Sequence, residues 1–337
     1  MVAAGRRWAP WTPSAVVGST VTAGVVAVPL IIGISIGHDA AGTIVTLAAY
    51  LWTVGHLTVE RPIGGRVSVV TAVLLGVAGA TGAVASAHLW LLVVLVVVWA
   101  AAQAVADTAA TVLRVPVAMA ALGFLLSAMI GGGGVRSAWG QGALFLGGAA
   151  WAALWQLVRH PPRRSTGGSF DLGLAECWAA RDRSRRFAVL LAVPTALAAG
   201  VAGVFEISHG AWMATTVLRV MRPEASATVA RSGRRIVGTS AGALVAAVLL
   251  GTERHELTAV IVLVLCLSAM QLVGPVRYGI YTFFLTLIAL ELGSVGQATS
   301  WHLALVRVAL TLAGAALAVT SGVLYDRASA SREKRRT

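Results

Sequence analysis

The hydrophobic pattern divides the chain into apolar runs separated by short polar segments. A helix needs about 20 apolar residues to cross the ~30 Å hydrocarbon layer of a bilayer. The runs therefore predict an all-α, polytopic membrane protein with about twelve transmembrane helices. The segment 209–222 is short, and the join between 89–106 and 112–131 is weakly marked. The predicted spans are 14–36, 40–58, 67–86, 89–106, 112–131, 138–158, 187–206, 209–222, 235–251, 256–272, 276–293 and 301–325.

Composition and charge agree with a membrane protein and exclude a nucleic-acid partner. Hydrophobic residues make up 58% of the 337 residues and charged residues only 12%, a balance that suits a surface solvated by lipid. The net charge of +13 comes from arginines in short loops that flank the apolar runs, which is the positive-inside pattern of membrane topology. The lipid bilayer is therefore the partner that this charge indicates.

The loop arginines also predict the orientation. With a cytoplasmic N-terminus, only Arg136 and Arg254 of the 26 basic residues fall in extracytoplasmic loops, and Arg219 and Arg307 fall within spans. A shift by one helix would invert this bias in half of the chain. The pattern therefore favours an even number of spans with both chain ends in the cytoplasm.

The chain also repeats itself. ISIGH at 34–38 matches FEISH at 205–209, and ALFLGGAAWA at 143–152 matches ALTLAGAALA at 309–318. Arg66 matches Arg235, and Arg114 matches Arg277, in the same order along the chain. The repeat predicts two six-helix halves of the same orientation, related by a pseudo-two-fold axis along the membrane normal, with a site near that axis.

These patterns give the predicted domain organisation. A basic cytoplasmic linker separates the two membrane repeats, and a short interfacial helix is expected within it, around 172–184. A basic cytoplasmic tail ends the chain. The predicted bounds are 1–158 for the first repeat, 159–186 for the linker, 187–325 for the second repeat and 326–337 for the tail.

One face of the predicted eighth helix combines an aromatic ring, two hydroxyls and two guanidiniums. The residues are Trp212, Thr215, Thr216, Arg219 and Arg222. Charged side chains are costly in lipid, so this face should meet the bundle interior or an aqueous cavity. Arginine binds a carboxylate through two parallel hydrogen bonds, and tryptophan stacks on rings. The face thus favours a small organic anion as substrate, an aromatic one in particular.

The alternative is that the two arginines only reach the cytoplasmic surface, with the tryptophan at the opposite interface. The repeat argues for chemistry in the second half, because it pairs Trp212 with Ala41 and Arg219 with Ala48. Pro223 should end the helix just beyond this face.

Titratable side chains lie near the predicted extracytoplasmic helix ends. His38 and Asp39 follow the first span, and Glu206 and His209 follow the seventh. They are candidates for coupling transport to protons, with ordinary loop polarity as the alternative. Deeper in the chain, Arg307 is a candidate for an intramembrane ion pair with Glu291 on the neighbouring span.

The motif residues resemble the signature of the fusaric-acid-resistance transporters, the aromatic acid exporter superfamily. Those that carry the resemblance are Trp212, Leu218–Arg219, Arg222–Pro223, Arg235, Gly238–Thr239 and Gly242, with a degenerate first-half copy in Glu60, Pro62, Gly65 and Arg66. Gly238 and Gly242 also form a GxxxG pair that permits close helix packing. Many members carry large cytoplasmic domains after each helix set, and none is predicted here.

The resemblance implies an inner-membrane secondary exporter of aromatic or other organic carboxylic acids in a bacterium. A distant likeness to plant malate channels keeps a passive anion channel open, and a non-transporting scaffold that forms a solid bundle is the third hypothesis. No nucleotide, metal or nucleophile motif occurs, so neither an enzyme nor a cofactor is expected. A homo-oligomer is compatible with all three hypotheses.

Overall fold

The computed structural model describes residues 12–57, 65–109, 112–131, 135–159, 173–250, 256–274, 277–295 and 301–334. These residues form twelve α-helices and, within the ranges just given, no strand. The helices are α1 (Pro13–Ser35), α2 (Asp39–Leu57), α3 (Gly65–Ala85), α4 (Leu89–Ala109), α5 (Arg114–Ile130), α6 (Val135–Arg159), α7 (Leu174–Val204), α8 (Ala211–Val220), α9 (Ala225–Leu250), α10 (Glu256–Val273), α11 (Tyr278–Ser294) and α12 (His302–Lys334). The predicted all-α class is confirmed.

Each helix overlaps one predicted span, and three helices extend well beyond it. The helix expected around 172–184 is part of α7, which runs unbroken over 31 residues from Leu174. Likewise α9 begins at Ala225 and α12 continues to Lys334. Hydropathy marks only the part of a helix that lies in hydrocarbon, whereas the backbone hydrogen bonds of a helix continue into its polar turns.

Among the described residues, five helices are long and apolar enough to cross a bilayer by length and composition alone. They are Pro13–Ser35, Gly65–Ala85, Leu89–Ala109, Ser184–Val204 and His302–Ala328. Three shorter apolar helices accompany them, at Arg114–Ile130, Ala259–Val273 and Tyr278–Gly293. Large apolar side chains such as Val17, Trp90 and Leu244 are exposed on the outside of the bundle, as expected where lipid is the solvent. The chain is a multi-pass membrane protein.

The same helix contacts recur in the two halves. Helix α3 packs on α5 and α6, as α9 packs on α11 and α12; helix α2 packs on α6, as α8 packs on α12. Between the halves, α1 contacts α10 and α4 contacts α7. The two glycines of the matched α6 and α12 strings make equivalent contacts: Gly148 lies against Val45 and Ala48, and Gly314 against Met213 and Thr216.

Small residues bring α9 and α11 into backbone contact. A side chain on Gly238 would meet the carbonyl oxygen of Gly279 and the hydroxyl of Thr282. One on Gly242 would meet the carbonyl oxygen of Phe283. The GxxxG pair thus lies directly on α11, where only hydrogen atoms fit between the helices.

Helix α8 is a ten-residue helix between two breaks. Before it, the turn from α7 places Glu206 at φ 48° and His209 at φ 60°, a left-handed conformation that is uncommon for residues with a side chain. After it, Pro223 lies in a break where the Arg222 amide donates to the Thr228 hydroxyl over 2.9 Å. The breaks end the helix before Arg222, which therefore leaves the helical face.

Candidate functional site

A cavity of about 280 Å³ lies between the two halves of the bundle. Helices α2 and α5 line it from the first half, and α8, α9, α11 and α12 line it from the second. Nearly half of its lining residues are leucine, isoleucine, valine or methionine. Its polar or aromatic lining residues are Thr43, Tyr50, His209, Trp212, Thr215, Arg219, Arg235, Tyr278, Tyr281 and Arg307. Among the described lining residues there is no aspartate or glutamate.

Three guanidinium groups make this cavity basic: Arg219 from α8, Arg235 from α9 and Arg307 from α12. Arg235 is 1% exposed and Arg307 is 3% exposed. Arg235 Nη1 donates to the Tyr278 hydroxyl over 3.2 Å. Its Nε and Nη2 have no hydrogen-bond partner in the described part of the chain, and the same holds for Arg307 Nε and Nη1. These buried cations retain donor capacity that a carboxylate can use.

Trp212 holds Arg307 in place. The guanidinium carbon of Arg307 lies 4.4 Å from the centre of the indole ring, within the range of a cation–π contact. The His209 ring lies 4.8 Å from the same indole. Trp212 is 1% exposed, so it is a packed side chain that positions a cation rather than a free stacking surface.

Tyr278 contacts two of the arginines in this region. The Arg231 guanidinium lies 3.9 Å above its ring, while its hydroxyl accepts the hydrogen bond from Arg235. Arg231 Nε also donates to the Arg219 carbonyl oxygen over 2.9 Å. Helix α9 is thereby tied to the end of α8, and the position of Arg219 depends on this contact.

The first half contributes one polar aromatic group, Tyr50 on α2. Its side chain is 3% exposed, and its hydroxyl contacts the sulfur of Met270 on α10 at 3.8 Å. A thioether is a weak acceptor, so the hydroxyl of Tyr50 can exchange this contact for a stronger one with an anion.

The predicted face of α8 is only partly the face that lines the cavity. Trp212, Thr215 and Arg219 line it. Thr216 is fully buried against Gly314 on α12 and donates to the Trp212 carbonyl oxygen over 2.9 Å. Arg222 lies past the helix end, where its Nη1 donates to the Met221 carbonyl oxygen over 2.7 Å. Thr216 turns toward α12 because it lies one position, about 100°, around the helix from Thr215.

The proton-coupling candidates separate into two groups. His209 lines the cavity, whereas His38 and Glu206 are exposed and Asp39 is half-buried, all three away from its lining. Burial, and to a smaller extent the charge of Arg307, lower the pKa of His209 below its ordinary value of 6.5. His209 is therefore neutral at pH 7 and takes up a proton only in more acidic solution.

We expect anion affinity to rise as the pH falls through this lowered pKa. Protonation places a further positive charge beside Arg307 and Trp212, and that charge attracts a carboxylate. Benzoate binding to purified protein, measured by calorimetry between about pH 7.5 and 5.5, tests this, because a carboxylate of ordinary pKa stays ionised in that range. His209→Ala should flatten the profile and Glu206→Gln should preserve it. A slope that persists in His209→Ala would exclude His209 as its source.

The cavity is asymmetric in its chemistry although matched helices line it. Because Gly148 contacts Val45 and Gly314 contacts Met213, the structure aligns Val45 of the second helix with Met213 of the eighth. The sequence repeat aligned Arg219 with Ala48, so its register for these two helices was wrong by three residues. The cavity counterparts of Trp212, Thr215 and Arg219 are then Ile44, Leu47 and Leu51. One wall is apolar and the opposite wall is basic.

Several residues of the site were missed by the sequence motifs. Arg235 was treated as a structural motif residue, but it lines the cavity while its repeat partner Arg66 is exposed. Arg307 contacts Trp212 and lines the cavity, whereas its pairing with Glu291 stays a prediction. The sequence does contain a signal for the two tyrosines. When Arg114 is aligned with Arg277, Tyr278 and Tyr281 fall at positions where the first half has valine and alanine.

Comparison with known proteins finds a family match in the part of the chain that supplies most polar groups of this site. Residues 197–321 match the family described as "Fusaric acid resistance protein-like". The match confirms the resemblance that the motif indicated, within the second half of the chain.

One relative among curated proteins is Uncharacterized protein slr1298 of Synechocystis sp., which is 27% identical over 135 residues. The match covers 40% of this chain and 18% of the relative, so the chain spans less than a fifth of that protein's length. No solved structure matches the chain.

Proposed function

We propose that this chain is a secondary active exporter of aromatic or other organic carboxylic acids across the bacterial inner membrane. The observation that carries the proposal is the cavity between the halves, where three arginines face apolar walls and no described lining residue is acidic. A guanidinium binds a carboxylate in a bidentate manner. The apolar wall of α2 and α5 accommodates the hydrocarbon or aromatic part of the same molecule.

The energetics favour an anion over a neutral or cationic substrate. Arg235 and Arg307 are desolvated and retain donors without partners in the described residues, which is costly for the empty protein. A carboxylate neutralises this charge and accepts those hydrogen bonds, each worth about 1.5–3 kcal/mol when a charged group takes part. A cation meets three like charges in a medium of low dielectric constant.

The proposed layout is twelve spans in two parallel six-helix halves, with both chain ends in the cytoplasm. The recurring helix contacts and the matched cavity helices support it, as does the distribution of loop arginines. In this orientation the end of the cavity with His209, Ile130 and Gly293 is extracytoplasmic, and the end with Arg219 and Tyr278 is nearer the cytoplasm. Movement of one half against the other would expose the cavity to each side in turn.

The scaffold and the passive channel are the two competing functions, and each makes its own prediction. A scaffold was expected to have a solid core, and a cavity lies there instead. A passive channel with arginines along its pore is compatible with the same lining. The proton gradient is the proposed energy source for the exporter, since the sequence carries no nucleotide-binding motif.

Transport in liposomes separates the exporter from the channel. The full chain is reconstituted with radiolabelled benzoate outside and a pH gradient imposed across the membrane, in both directions. Neutral benzoic acid diffuses through lipid and collects only in an alkaline lumen, so protein-free liposomes are the control. We expect the protein to accumulate benzoate above its external concentration in an acidic lumen, where those controls do not, and the accumulation to collapse with a protonophore. Equilibration without accumulation, together with single-channel currents in planar bilayers, would establish the channel and exclude the exporter.

A further inference from the structure

A second cavity, of about 310 Å³, lies among three helices of the first half and one of the second, and it shares no lining residue with the cavity that contains the three arginines. It is bounded by α1, α2, α6 and α10 near their ends on one side of the bundle: the first turns of α1 and the last turns of the other three. Arg159, the last residue of α6, stands at its mouth. In the proposed orientation this side is cytoplasmic.

The polar wall of this cavity is built around Arg159. Its guanidinium donates to the carbonyl oxygen of Gly18 and to the hydroxyl of Thr22 on α1. A side chain on Gly18 would collide with the guanidinium of Arg159. Glycine at this position therefore lets the guanidinium lie against α1, with Nη2 nearest to Gly18 and with Nη1 donating both hydrogen bonds.

Further polar groups surround the same space. Trp155 Nε1 donates to the Thr22 hydroxyl over 3.4 Å, and Gln271 of α10 donates to the Ser19 carbonyl oxygen over 3.3 Å. Gln156 also lines the cavity. No acidic residue occurs in its described lining, so the cavity presents one cation and neutral hydrogen-bonding groups.

Two buried groups in the wall have unused capacity. Trp52 is 2% exposed, and its Nε1 has no acceptor in the described part of the chain. His56 stacks on the Trp52 indole at 3.4 Å and is bonded through Nδ1 to the Trp52 carbonyl oxygen at 2.7 Å. Its Nε2 has no partner among the described residues. A ligand that both accepts and donates hydrogen bonds suits this pair.

An apolar groove leads from this cavity to the lipid-facing surface. Gly18, Trp155 and Arg159 belong to both, and the groove continues over Pro13, Val17 and Val21 of α1. Val17 is 61% exposed and Val21 is 44% exposed. The surface around the groove is apolar as well, with Leu154 and Val158 of α6 exposed beside it.

We propose that this cavity and groove bind an anionic phospholipid of the cytoplasmic leaflet. The phosphodiester lies against Arg159, the head-group hydroxyls meet the glutamines and the Trp52–His56 pair, and one acyl chain follows the groove along α1. The charge of Arg159, its position at a basic end of the bundle and the continuity of the polar cavity with a bilayer-facing groove all favour a lipid over a soluble anion. This site is separate from the cavity proposed for the transported acid.

Lipid titration of the full-length protein tests the proposal. Native mass spectrometry in detergent compares dioleoyl phosphatidylglycerol with dioleoyl phosphatidylcholine. We expect one tightly held phosphatidylglycerol and no comparable phosphatidylcholine. Arg159→Gln should weaken that lipid at least tenfold, as the loss of a charge-assisted hydrogen bond implies. The matched control is Arg186→Gln, an exposed arginine of α7, which should leave the affinity unchanged.

A second variant covers the case in which Arg159→Gln disturbs the contact between α1 and α6. Trp52→Phe removes an indole N–H that bonds nothing in the described protein, together with one ring of the indole, while a ring remains to stack on His56. The variant should keep the fold at some cost in stability, which thermal unfolding measures, and bind the lipid about threefold or more weakly. Equal loss in the Arg186 control, equal binding of both lipids, or an unchanged affinity in Trp52→Phe would each overturn the proposal. Binding of dodecanoate in place of phosphatidylglycerol would also overturn it and would indicate a site for a free amphiphilic acid.

Discussion

Replacing Arg235 with methionine should abolish uptake of an organic acid and leave the protein as stable as before, or more stable. Methionine fills a similar volume without a charge. The fold loses one hydrogen bond, to Tyr278, and is relieved of a desolvated cation whose Nε and Nη2 bond nothing in the described chain. Replacing buried charge with a well-packed apolar group is often neutral or stabilising. The substrate loses two charge-assisted bonds, about 3 kcal/mol or more, which is about a hundredfold in affinity.

The matched control is Arg234→Met on the same helix. Arg234 is exposed and faces away from the cavity, so the same loss of charge should leave uptake within about twofold of wild type if the effect depends on position. Uptake of benzoate into liposomes and thermal unfolding in detergent are measured on all three proteins. Equal losses of uptake in both variants, or a large loss of stability in Arg235→Met, would contradict the assignment of Arg235 to the anion site.

The second large effect is expected at Gly238, where α9 and α11 touch. A valine there would place methyl groups on the Gly279 carbonyl oxygen and the Thr282 hydroxyl, and neither helix backbone can yield locally. Overpacking of this kind costs about 1–3 kcal/mol and sometimes more. We expect a marked fall in the unfolding temperature and reduced insertion into the membrane. Uptake should fall as well, because α9 and α11 carry Arg235, Tyr278 and Tyr281.

Gly233 provides the control for Gly238 on the same helix. A side chain at Gly233 meets nothing within 4 Å, so Gly233→Val should cost little and Gly233→Ala should be neutral or slightly stabilising, since alanine is the better helix former. Unfolding is followed by intrinsic fluorescence in detergent for each variant. Similar effects of valine at both positions would show that helix propensity, rather than contact between α9 and α11, determines the result.

The Arg235 and Gly238 variants distinguish residues that serve substrate binding from residues that serve folding. Arg235 and Arg307 are unfavourable for the empty fold, and their retention in a lipid-embedded bundle is explained by a ligand that completes their hydrogen bonds. Gly238, in contrast, stabilises the fold, because it allows α9 and α11 to pack closely and has no side chain that could bind a substrate. A substitution that lowers uptake at constant stability therefore identifies the site, and one that lowers both identifies the scaffold.

The sequence predicted the place of each described helix but only part of the site. Hydropathy located each helix because the need to bury backbone hydrogen bonds in lipid acts on every span separately. Helical periodicity identified Trp212, Thr215 and Arg219 as one face, and these residues do line the cavity. The same periodicity included Thr216 and Arg222, which do not line it. Thr216 lies about 100° around the helix from Thr215 and packs against Gly314, and α8 ends at Val220, before Arg222.

The remaining site residues come from other helices, and local pattern cannot bring them together. Arg235, Tyr278 and Arg307 lie on α9, α11 and α12, each in a segment whose apolar pattern says nothing of its neighbours. Repeat comparison came closest, because it shows where the second half is polar and the first is not. Its register had an error of three residues in the second and eighth helices, which only the equivalent glycine contacts of Gly148 and Gly314 corrected.

The twelve-segment apolar pattern, the positive-inside bias and the fusaric-acid-resistance motif are properties of the sequence by itself. They follow from forces that act on each segment independently: the transfer of a helix into lipid and the placement of arginine outside it. The tertiary structure alone decided that three arginines share one cavity, that Trp212 supports Arg307 and that Arg159 stands over a second cavity. Those outcomes depend on which helix faces meet, and this is set by close packing at small residues distant in sequence.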